Sequence, residues 1–188
     1  MKIYIVRHGQ TEENIQKILQ GHMPGKLTEK GKEQVRNTSE YLASLMNTDG
    51  ESAKDSVKFS RIVSSDLKRA MDSAQIIADR LGLPVIPMEI LRERDWGIYT
   101  GLPLDEARVK YRIDGKWVFP DESAETEEGI YERAGKALDE LKRLYGDETI
   151  ILVTHGQFAR NLIGVRLGCS YHDVTSFTNA EVRVLSYN

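Results

Sequence analysis

The chain has 188 residues, of which 40% are hydrophobic, 7% aromatic and 29% charged. This composition is typical of a globular protein with a sizeable core, and it excludes collagen-like, low-complexity and disordered chains. The net charge of −3 shows none of the basic excess of nucleic-acid-binding proteins. No apolar run approaches the ~20 residues of a membrane span, and the first residues lack a signal-peptide pattern, so we expect a cytoplasmic protein without nucleic-acid or membrane partners.

The first predicted elements are a strand and a helix. Residues 3–6 (IYIV) form a short apolar run with β-branched side chains, which is typical of a buried strand. Thr28 can cap the helix that follows, because its hydroxyl accepts a hydrogen bond from a free N–H group at a helix start. The apolar residues of this helix are expected on one face: Val35, Tyr41, Leu42 and Leu45. The polar and small residues at 47–56 predict a surface loop.

A second strand and helix are predicted next. Residues 61–64 (RIVS) indicate the strand, and Ser65 or Asp66 can cap the helix behind it. Apolar residues recur along this helix at helical spacing, and Gly82 stands where a left-handed residue ends a helix. Residues 83–87 (LPVIP) predict a short strand, whose prolines favour the edge of a sheet.

The second half of the chain begins with an irregular insert at 95–125, in which a short helix is expected at 104–111. Thr126, followed by two glutamates, predicts the start of a long amphipathic helix that Gly146 ends. Residues 149–154 (TIILVT) are the most strand-like run, and the helix behind them is expected to end near Gly168. Residues 174–178 and 181–186 indicate either one hairpin or two edge strands.

Strands that alternate with helices favour parallel pairing, since a parallel connection needs about 12 or more residues. We therefore predict a three-layer α/β/α sandwich with a mostly parallel central sheet. Residues 1–188 are expected to form a single domain, with the short insert at 95–125 over the active site. In such sheets ligands bind beyond the carboxyl ends of the strands, so the polar residues there are the candidate functional residues.

Two histidines and two arginines are expected to meet at that edge of the sheet. Arg7 and His8 follow the first strand, His155 follows the strand at 149–154, and Arg69 follows the strand at 61–64. Arginine offers paired donors that match phosphate geometry, and free N–H groups at helix starts reinforce an anion site. The sequence thus predicts an oxyanion site. Because the arginines would repel a cation, neither a metal nor another cofactor is expected.

Several segments across the chain match one family in order. They are 6–14 (VRHGQTEEN), 27–31 (LTEKG), 64–70 (SSDLKRA), 91–97 (LRERDWG), 153–156 (VTHG) and Asn179. With these segments the chain resembles the histidine phosphatase superfamily, also called the phosphoglycerate mutase-like family. The resemblance covers essentially the whole chain.

The resemblance implies a role for each matching residue. His8 is the nucleophile that takes the phosphoryl group as a phosphohistidine, and Glu93 is the proton donor. Arg7, Arg69 and His155 surround the phosphate. The other residues implied to bind phosphate or substrate are Gly9, Thr11, Asn14, Gln20, Gly21, Gly156 and Gln157.

Phosphoryl transfer accounts for these residue types. It needs positive charge around three equatorial oxygens and an in-line nucleophile. His8 must be neutral to offer a lone pair, and nearby positive charge lowers the pKa of a histidine, which favours the neutral form. An alkoxide leaves poorly, so a carboxylic acid must protonate it. On spacing alone Glu89, Glu93 or Asp95 could do so, and the family pattern selects Glu93.

Other residues leave two interpretations open. The basic residues of the insert hold a second anionic group of the substrate or form a solvated helix face: Arg108, Lys110, Arg112 and Lys116. The aromatic residues of the insert form an apolar wall at the site or pack the insert onto the core. His22 contacts substrate or is a solvated loop residue. Glu125 falls where family phosphatases carry Gly-Glu-Ser, but Ala124 and Thr126 flank it here.

The expected function is a metal-independent phosphomonoesterase that acts on a small soluble phosphate ester. The alternative is a cofactor-dependent phosphoglycerate mutase, which shares the catalytic residues but has a longer insert, so the short insert here favours the phosphatase. A phosphoprotein phosphatase and a catalytically inactive phosphate-binding module are further alternatives. The sequence leaves the physiological substrate and the oligomeric state open, with a homodimer among the options.

Overall fold

The computed structural model describes residues 1–46 and 56–187, so the predicted loop at 47–56 lies, except for Ser56, outside the described residues. The strands are β1 (Lys2–Arg7), β2 (Phe59–Ser64), β3 (Val85–Pro87), β4 (Arg112–Ile113), β5 (Lys116–Trp117), β6 (Thr149–Thr154) and β7 (Val182–Ser186). The α-helices are α1 (Glu12–Gln16), α2 (Glu29–Met46), α3 (Lys68–Leu81), α4 (Leu104–Tyr111), α5 (Glu127–Tyr145) and α6 (Gly156–Leu167). Single 3₁₀ turns lie at Glu89–Leu91, Gly97–Tyr99 and Tyr171–Asp173.

The central sheet has the strand order β3-β2-β6-β1-β7. Strand β6 pairs in parallel with β1, from Thr149 beside Lys2 to Thr154 beside Arg7, and in parallel with β2 on its other side. Strand β3 pairs in parallel with β2, whereas β7 pairs antiparallel with β1. The predicted mostly parallel sheet is confirmed, with the short strand β3 at one edge as expected.

The side chains of β1 divide the core into two layers. Ile3 and Ile5 pack against residues of α5 and α6, whereas Tyr4 and Val6 pack against residues of α2 and α3. This division follows from the alternation of side chains along a strand. Helices therefore cover both faces of the sheet, and the predicted three-layer α/β/α arrangement is confirmed.

Sequence signals at the helix ends are largely confirmed. Thr28 and Thr126 each accept a 2.9 Å hydrogen bond from the backbone N–H group three residues later, at the starts of α2 and α5. Gly82 and Gly168 end α3 and α6 in the left-handed conformation, with φ of 68° and 69°. Within residues 1–46 and 56–187, no helix is long and apolar enough to cross a bilayer.

Two local predictions about helices are wrong. Neither Ser65 nor Asp66 is the N-cap of α3, because Leu67 holds that position without a side-chain hydrogen bond. The Asp66 carboxylate instead accepts a 2.7 Å hydrogen bond from Arg92. Tyr41 is 50% exposed and does not belong to the buried face of α2, since a side chain six residues after Val35 points about 120° away from it around the helix.

The predicted strand at 174–178 is also wrong, because only β7 forms in this region. The backbone carbonyl groups of Val174 and Phe177 accept hydrogen bonds from Arg160 and Arg7 instead of pairing with a strand. Arg183 donates to the carbonyl oxygens of Thr175 and Ser176 as well, so this segment supports three arginine side chains.

The insert at 95–125 has a small core of its own. Helix α4 forms at the predicted place, and the β4–β5 hairpin that follows it is an addition that sequence patterns do not indicate. Five aromatic rings contact one another with centroid distances of 4.4 to 5.7 Å: Trp96, Tyr99, Tyr111, Trp117 and Phe119. Together with Leu19 they form a cluster separate from the two on the sheet, so the rings hold the insert together.

Candidate active site

The candidate histidines and arginines lie together at the carboxyl ends of β1, β2 and β6. Arg7 ends β1 and His8 follows it, His155 follows β6, and Arg69 lies in the first turn of α3. The imidazole rings of His8 and His155 have centroids 5.3 Å apart, and Nε of Arg69 lies 3.3 Å from Nε2 of His8. All three of these side chains are buried. The fold therefore brings residues from three separate parts of the sequence into one cluster.

Hydrogen-bond partners fix the proton position on His8. Its Nδ1 lies 2.8 Å from the carbonyl oxygen of Gly9, which can only accept, whereas its Nε2 faces Nε of Arg69, which can only donate. These partners assign the proton to Nδ1 and a lone pair to Nε2. Burial lowers the pKa of His8 well below its usual value, and the charges of Arg69 and Arg7 lower it further. The ring is therefore neutral near pH 7 and carries a nucleophilic Nε2.

Two backbone carbonyl groups fix the guanidinium of Arg69. Its Nη groups donate to the oxygens of Gly21 and Met23, so the loop after α1 holds the side chain against His8. Burial lowers the pKa of Arg69 to about 10, which leaves it charged at neutral pH. Gly25 makes room for it, because a Cβ atom there would lie 2.9 Å from Cδ of Arg69.

Arg7 offers an unused donor. Its Nη1 donates to the Phe177 carbonyl oxygen at 2.6 Å, but its buried Nε has no hydrogen-bond partner within the described part of the chain. A Cβ atom on Gly156 would lie only 3.3 Å from that Nε, so the glycine allows Arg7 to pass close to the start of α6. A buried, unpaired cationic donor of this kind suits an anionic ligand.

His155 contacts Ser65, which the sequence indicates only as a possible helix cap. Its Nε2 lies 2.8 Å from Oγ of Ser65, and its Nδ1 is buried without a partner among the described residues. Burial lowers the pKa of His155 well below its usual value, and Arg69 and His8 lower it further. Ser65 and His155 are 90 positions apart, but each directly follows one of two adjacent parallel strands, and that register is the signal that could have paired them.

The carboxylate of Glu93 reaches the amino end of α6. Its Oε1 accepts a 2.9 Å hydrogen bond from the N–H group of Phe158, and its Oε2 accepts one of 3.1 Å from that of Gln157. Free N–H groups at a helix start stabilise such an anion. The N–H group of Gln157, which was expected to face the phosphate, is thus engaged by Glu93.

Arg133 of α5 supports the backbone around Glu93. Its guanidinium donates at 2.7–3.2 Å to three backbone carbonyl oxygens of one short segment, those of Ile90, Arg92 and Glu93. It also forms two hydrogen bonds with the carboxylate of Glu125, which is therefore a partner of Arg133. His22 adds a contact of 3.0 Å from Nε2 to the Glu93 carbonyl oxygen. Sequence reasoning missed Arg133, because nothing in the pattern of α5 distinguishes it from a solvated arginine.

The loop after β1 is held by its own side chains. Thr11 and Asn14 form a capping box at the start of α1, with both hydrogen bonds at 3.1 Å. The Thr11 hydroxyl donates to Oε1 of Gln20, and Oδ1 of Asn14 accepts from Asn179. These contacts fix the loop in which His8 and Gly9 lie.

A cleft of ≈ 180 Å³ opens onto this cluster. Its lining combines residues of β1, the loop after α1, α3 and the insert: Arg7, His8, Asn14, Ile18, Leu19, Gln20, Gly21, Arg69, Glu93, Trp96 and Leu104. Of the other candidate residues, Gly9, Thr11 and His155 are not part of this lining. Gly156 and Gln157 line a neighbouring cavity.

The arrangement is suited to binding an anion next to a nucleophile. Two guanidinium groups and a neutral imidazole meet in the cleft, and one carboxylate, that of Glu93, lies at its wall. Within residues 1–46 and 56–187, no group of three or more His, Cys, Asp and Glu side chains has a metal-binding arrangement. The guanidinium groups of Arg7 and Arg69 are suited to stabilise the charge of a phosphoryl group in the cleft.

Comparisons with known proteins give one family. The model of the histidine phosphatase superfamily (branch 1) matches residues 3–188. The uncharacterized phosphatase PhoE of Bacillus subtilis (strain 168) is 32% identical over 154 residues, which cover 82% of this chain and 71% of that protein. The probable phosphoglycerate mutase GpmB of Enterobacter sp. (strain 638) is 30% identical over 178 residues, which cover 89% and 75%.

A solved structure is similar over almost the whole fold. It is that of a mycobacterial glucosyl-3-phosphoglycerate phosphatase in complex with VO3, with a TM-score of 0.81 and 28% identity. The match covers 98% of this chain and 92% of that one.

Proposed function

The chain belongs to the histidine phosphatase superfamily, and on that premise we propose that it is a metal-independent phosphomonoesterase that hydrolyses a small phosphorylated metabolite. The observation that carries this proposal is the neutral His8, whose Nε2 lone pair lies beside Arg69 in an anion-binding cleft. Relatives named as phosphatases support hydrolysis as the reaction. We further propose that residues 1–188 act as one domain in the cytoplasm.

In the first proposed step the phosphoryl group lies between Arg7 and Arg69, whose charges stabilise its equatorial oxygens. Nε2 of His8 attacks phosphorus in line, and the bond from phosphorus to the ester oxygen breaks with its electrons going to that oxygen. Glu93 in its acid form donates a proton to the departing oxygen. His155, held by Ser65, lies beside the resulting phosphohistidine.

In the second proposed step a water molecule attacks the phosphohistidine. Glu93, now a carboxylate, accepts a proton from this water, and the phosphorus–nitrogen bond breaks. The electrons of that bond return to Nε2 of His8, which restores the neutral ring. Inorganic phosphate is the product.

We assign the remaining candidate residues to two roles. Asn14, Gln20 and Gly21 line the cleft and are proposed to contact substrate. Gly9 and Thr11 shape the loop that carries His8, and Gly156 and Gln157 form the amino end of α6 that receives Glu93.

A cofactor-dependent phosphoglycerate mutase is the alternative, and the relative named as a probable mutase favours it. The same phosphohistidine would then return its phosphoryl group to a second phosphoglycerate in place of water. Interconversion of 3- and 2-phosphoglycerate that depends on 2,3-bisphosphoglycerate and is faster than hydrolysis would identify the mutase.

Turnover of p-nitrophenyl phosphate in the presence of EDTA tests the phosphatase. We expect the wild-type protein to release p-nitrophenol under these conditions and the His8→Ala variant to show no turnover above background, because no other group replaces the nucleophile. Near-wild-type activity of His8→Ala would exclude the covalent mechanism.

The intermediate itself can be trapped with a matched pair of variants. Glu93→Gln lacks the base of the second step, whereas p-nitrophenolate can leave in the first step without a proton, so we expect this variant to accumulate an acid-labile phosphoenzyme from ³²P-labelled p-nitrophenyl phosphate. The double variant His8→Ala/Glu93→Gln is the control and should carry no label. Label on the double variant would place the phosphoryl group on another residue.

A further inference from the structure

The segment that carries Glu93 is held by side chains instead of by secondary structure. Residues 92–96, all of which the structure describes, form neither a helix nor a strand. The backbone carbonyl oxygens of residues 90–93 nevertheless all accept hydrogen bonds from side chains. Thr154 donates to one of them at 2.8 Å, and Arg133 donates to the other three. The position of Glu93 therefore depends mainly on Arg133.

The guanidinium of Arg133 is fully engaged in this region. Its Nη1 donates to the carbonyl oxygens of Ile90 and Arg92, and its Nη2 donates to that of Glu93. Its Nε and Nη2 donate to the two carboxylate oxygens of Glu125, at 2.8 and 2.7 Å. These five hydrogen bonds use all five N–H groups that a guanidinium has, so the orientation of its plane is fixed.

Glu125 orients Arg133 and joins it to the end of the insert. The two side chains are 19% and 21% exposed, so the ion pair between them is largely shielded from solvent. The backbone N–H group of Glu125 also donates to the carbonyl oxygen of Asp95 at 2.8 Å. Because the two charges compensate each other, the pair adds little to the field in the cleft, and its effect there is one of geometry.

Arg133 also contacts the residue that receives the carboxylate of Glu93. Its guanidinium carbon lies 4.5 Å from the ring centroid of Phe158, whose N–H group donates to Oε1 of Glu93 at 2.9 Å. One side chain thus contacts both the backbone from which Glu93 extends and the part of α6 that holds its carboxylate. Arg133 itself is not part of the cleft lining, so any influence on the reaction passes through Glu93.

We propose that Arg133, oriented by Glu125, is a positioning residue for the reaction, because it holds Glu93 where this group exchanges a proton with the leaving group and then with water. The proposal rests on the phosphomonoesterase function proposed above and adds a residue to it. Proton transfer requires hydrogen-bond geometry, and a displacement of ~1 Å can cost about 10²-fold in rate. Loss of Arg133 should therefore impair proton transfer and leave phosphate binding by Arg7 and Arg69 intact.

The test uses three esters whose leaving groups become progressively more basic: p-nitrophenyl phosphate, phenyl phosphate and glycerol 3-phosphate. Arg133→Met removes every donor but keeps an apolar chain beside Phe158. We expect this variant to lower kcat/KM by about 10–10²-fold for glycerol 3-phosphate and by less than ~3-fold for p-nitrophenyl phosphate, whose leaving group needs little protonation. The inhibition constant of inorganic phosphate should stay within about twofold of the wild-type value.

Two further variants separate positioning from a general structural effect. In the Glu93→Gln background the acid is absent, so adding Arg133→Met should cause no further loss that depends on the leaving group. Arg133→Lys keeps the charge, but its three N–H groups cannot serve five acceptors, so its loss should lie between those of the wild type and Arg133→Met. Arg133→Lys also supplies the measurement if Arg133→Met does not fold.

Arg61→Met is the matched control. Arg61 is 29% exposed, forms a 2.8 Å ion pair with Glu148, and lies 4.7 Å from the ring centroid of Tyr145. These contacts resemble those of Arg133, but they lie beside the amino end of β6, whereas the cleft lies at the carboxyl ends of the strands. We expect Arg61→Met to lower the urea midpoint of unfolding and to keep the wild-type ratio of kcat/KM values across the three esters.

The outcomes distinguish this proposal from the proposed function. Equal losses on all three esters in Arg133→Met, or in Arg133→Lys where only that variant folds, would overturn the positioning role. So would a further leaving-group-dependent loss in the Glu93→Gln background, or the same dependence in Arg61→Met. Absence of p-nitrophenyl phosphate turnover in the wild type is a different result, which would overturn the proposed function and the role of Arg133 with it.

Discussion

At the scale of single residues, Glu93 connects the parts of the site. Its carboxylate lies at the wall shared by the catalytic cleft and the neighbouring cavity that Gly156 and Gln157 line, and its backbone carbonyl oxygen accepts from Arg133 and lies 3.0 Å from Nε2 of His22. The amides of α6 hold the carboxylate oxygens from the opposite side. The position of this group is thus determined by three elements that are remote in sequence.

The role of Glu93 as proton donor can be tested through the leaving group. An alkoxide needs a proton as it leaves, whereas p-nitrophenolate leaves with little help. We therefore expect Glu93→Gln to lower kcat/KM for an alkyl phosphate by ~10²–10⁴-fold, the usual contribution of general acid catalysis, and far less for p-nitrophenyl phosphate. The measurement is the pair of kcat/KM values, and equal losses on both esters would exclude Glu93 as the acid.

At the scale of elements, the start of α2 is in close backbone contact with the loop that carries His8. A Cβ atom on Gly9 would lie 2.4 Å from the Gly31 carbonyl oxygen, and one on Gly31 would lie 2.1 Å from the Gln10 carbonyl oxygen. The glycines are required here because two backbones are in contact. Helix α2 therefore sets the position of the catalytic loop directly.

Alanine substitutions of two helical glycines test this contact. Gly31→Ala should destabilise the protein by about 1–3 kcal/mol, as overpacking does, and should also lower kcat by displacing His8. Gly135→Ala in α5 is the matched control, because the nearest atom to its Cβ would be 3.9 Å away, and it should stabilise by about 0.5–1 kcal/mol. Urea unfolding and p-nitrophenyl phosphate kinetics give both values, and a neutral effect of Gly31→Ala would contradict the close contact.

The elements also explain how much could be predicted from sequence. The residues at strand ends could be placed, because apolar runs locate strands and parallel strands share one edge, which brought His8, His155 and Arg69 to the same place. The segment at 174–178 could not, since its apolar residues are equally compatible with a strand. Its structure depends on arginine side chains from outside the segment, such as Arg7 and Arg160, which donate hydrogen bonds to its backbone carbonyl oxygens.

The supporting arginines were the least predictable part. Arg133 and Arg160 occupy ordinary helical positions, and their long side chains reach partners about 40 and 14 positions away. The spacing of apolar residues indicates which face of a helix is buried. It does not indicate which distant groups the guanidinium of a partly buried arginine contacts. Spacing likewise could not distinguish Glu93 from Glu89 and Asp95 as the acid, so its assignment depended on the family pattern.

At the scale of the whole molecule, the site concentrates positive charge in a protein of net charge −3. In the cleft Arg69 is buried and Arg7 is partly buried, whereas many exposed arginines and lysines are paired with carboxylates, as Arg80 is with Glu40. An anionic substrate is therefore recognised by a local field inside the fold, and the outer surface contributes little. The site also has a consequence for stability, because burial and then the nearby positive charge lower the pKa values of His8 and His155 in the folded protein.

We expect the free energy of unfolding to fall as the pH is lowered through 6.5. The folded pKa values of His8 and His155 lie well below 6.5, chiefly because of burial and then because of Arg69, whereas both rings titrate near 6.5 in the unfolded chain. Below that pH the unfolded state binds more protons than the folded state, so stability rises with pH and is fully present above the unfolded pKa. It is lost as the pH falls towards the folded pKa values.

The size of the effect follows from the number of rings. If both rings stay neutral in the folded state, the free energy of unfolding should decrease by about 2.7 kcal/mol between pH ~7.5 and ~5.5, and by about half of this in His155→Gln, which keeps one ring. Urea titrations at these pH values measure it, in buffers without phosphate because a bound anion would stabilise the folded state. Carboxylates with lowered pKa values act in the same direction but at more acidic pH, outside this window. An equal pH dependence in the wild type and His155→Gln would show that His155 is not held neutral by the cluster, and the electrostatic basis for a neutral His8 beside it would then be in doubt.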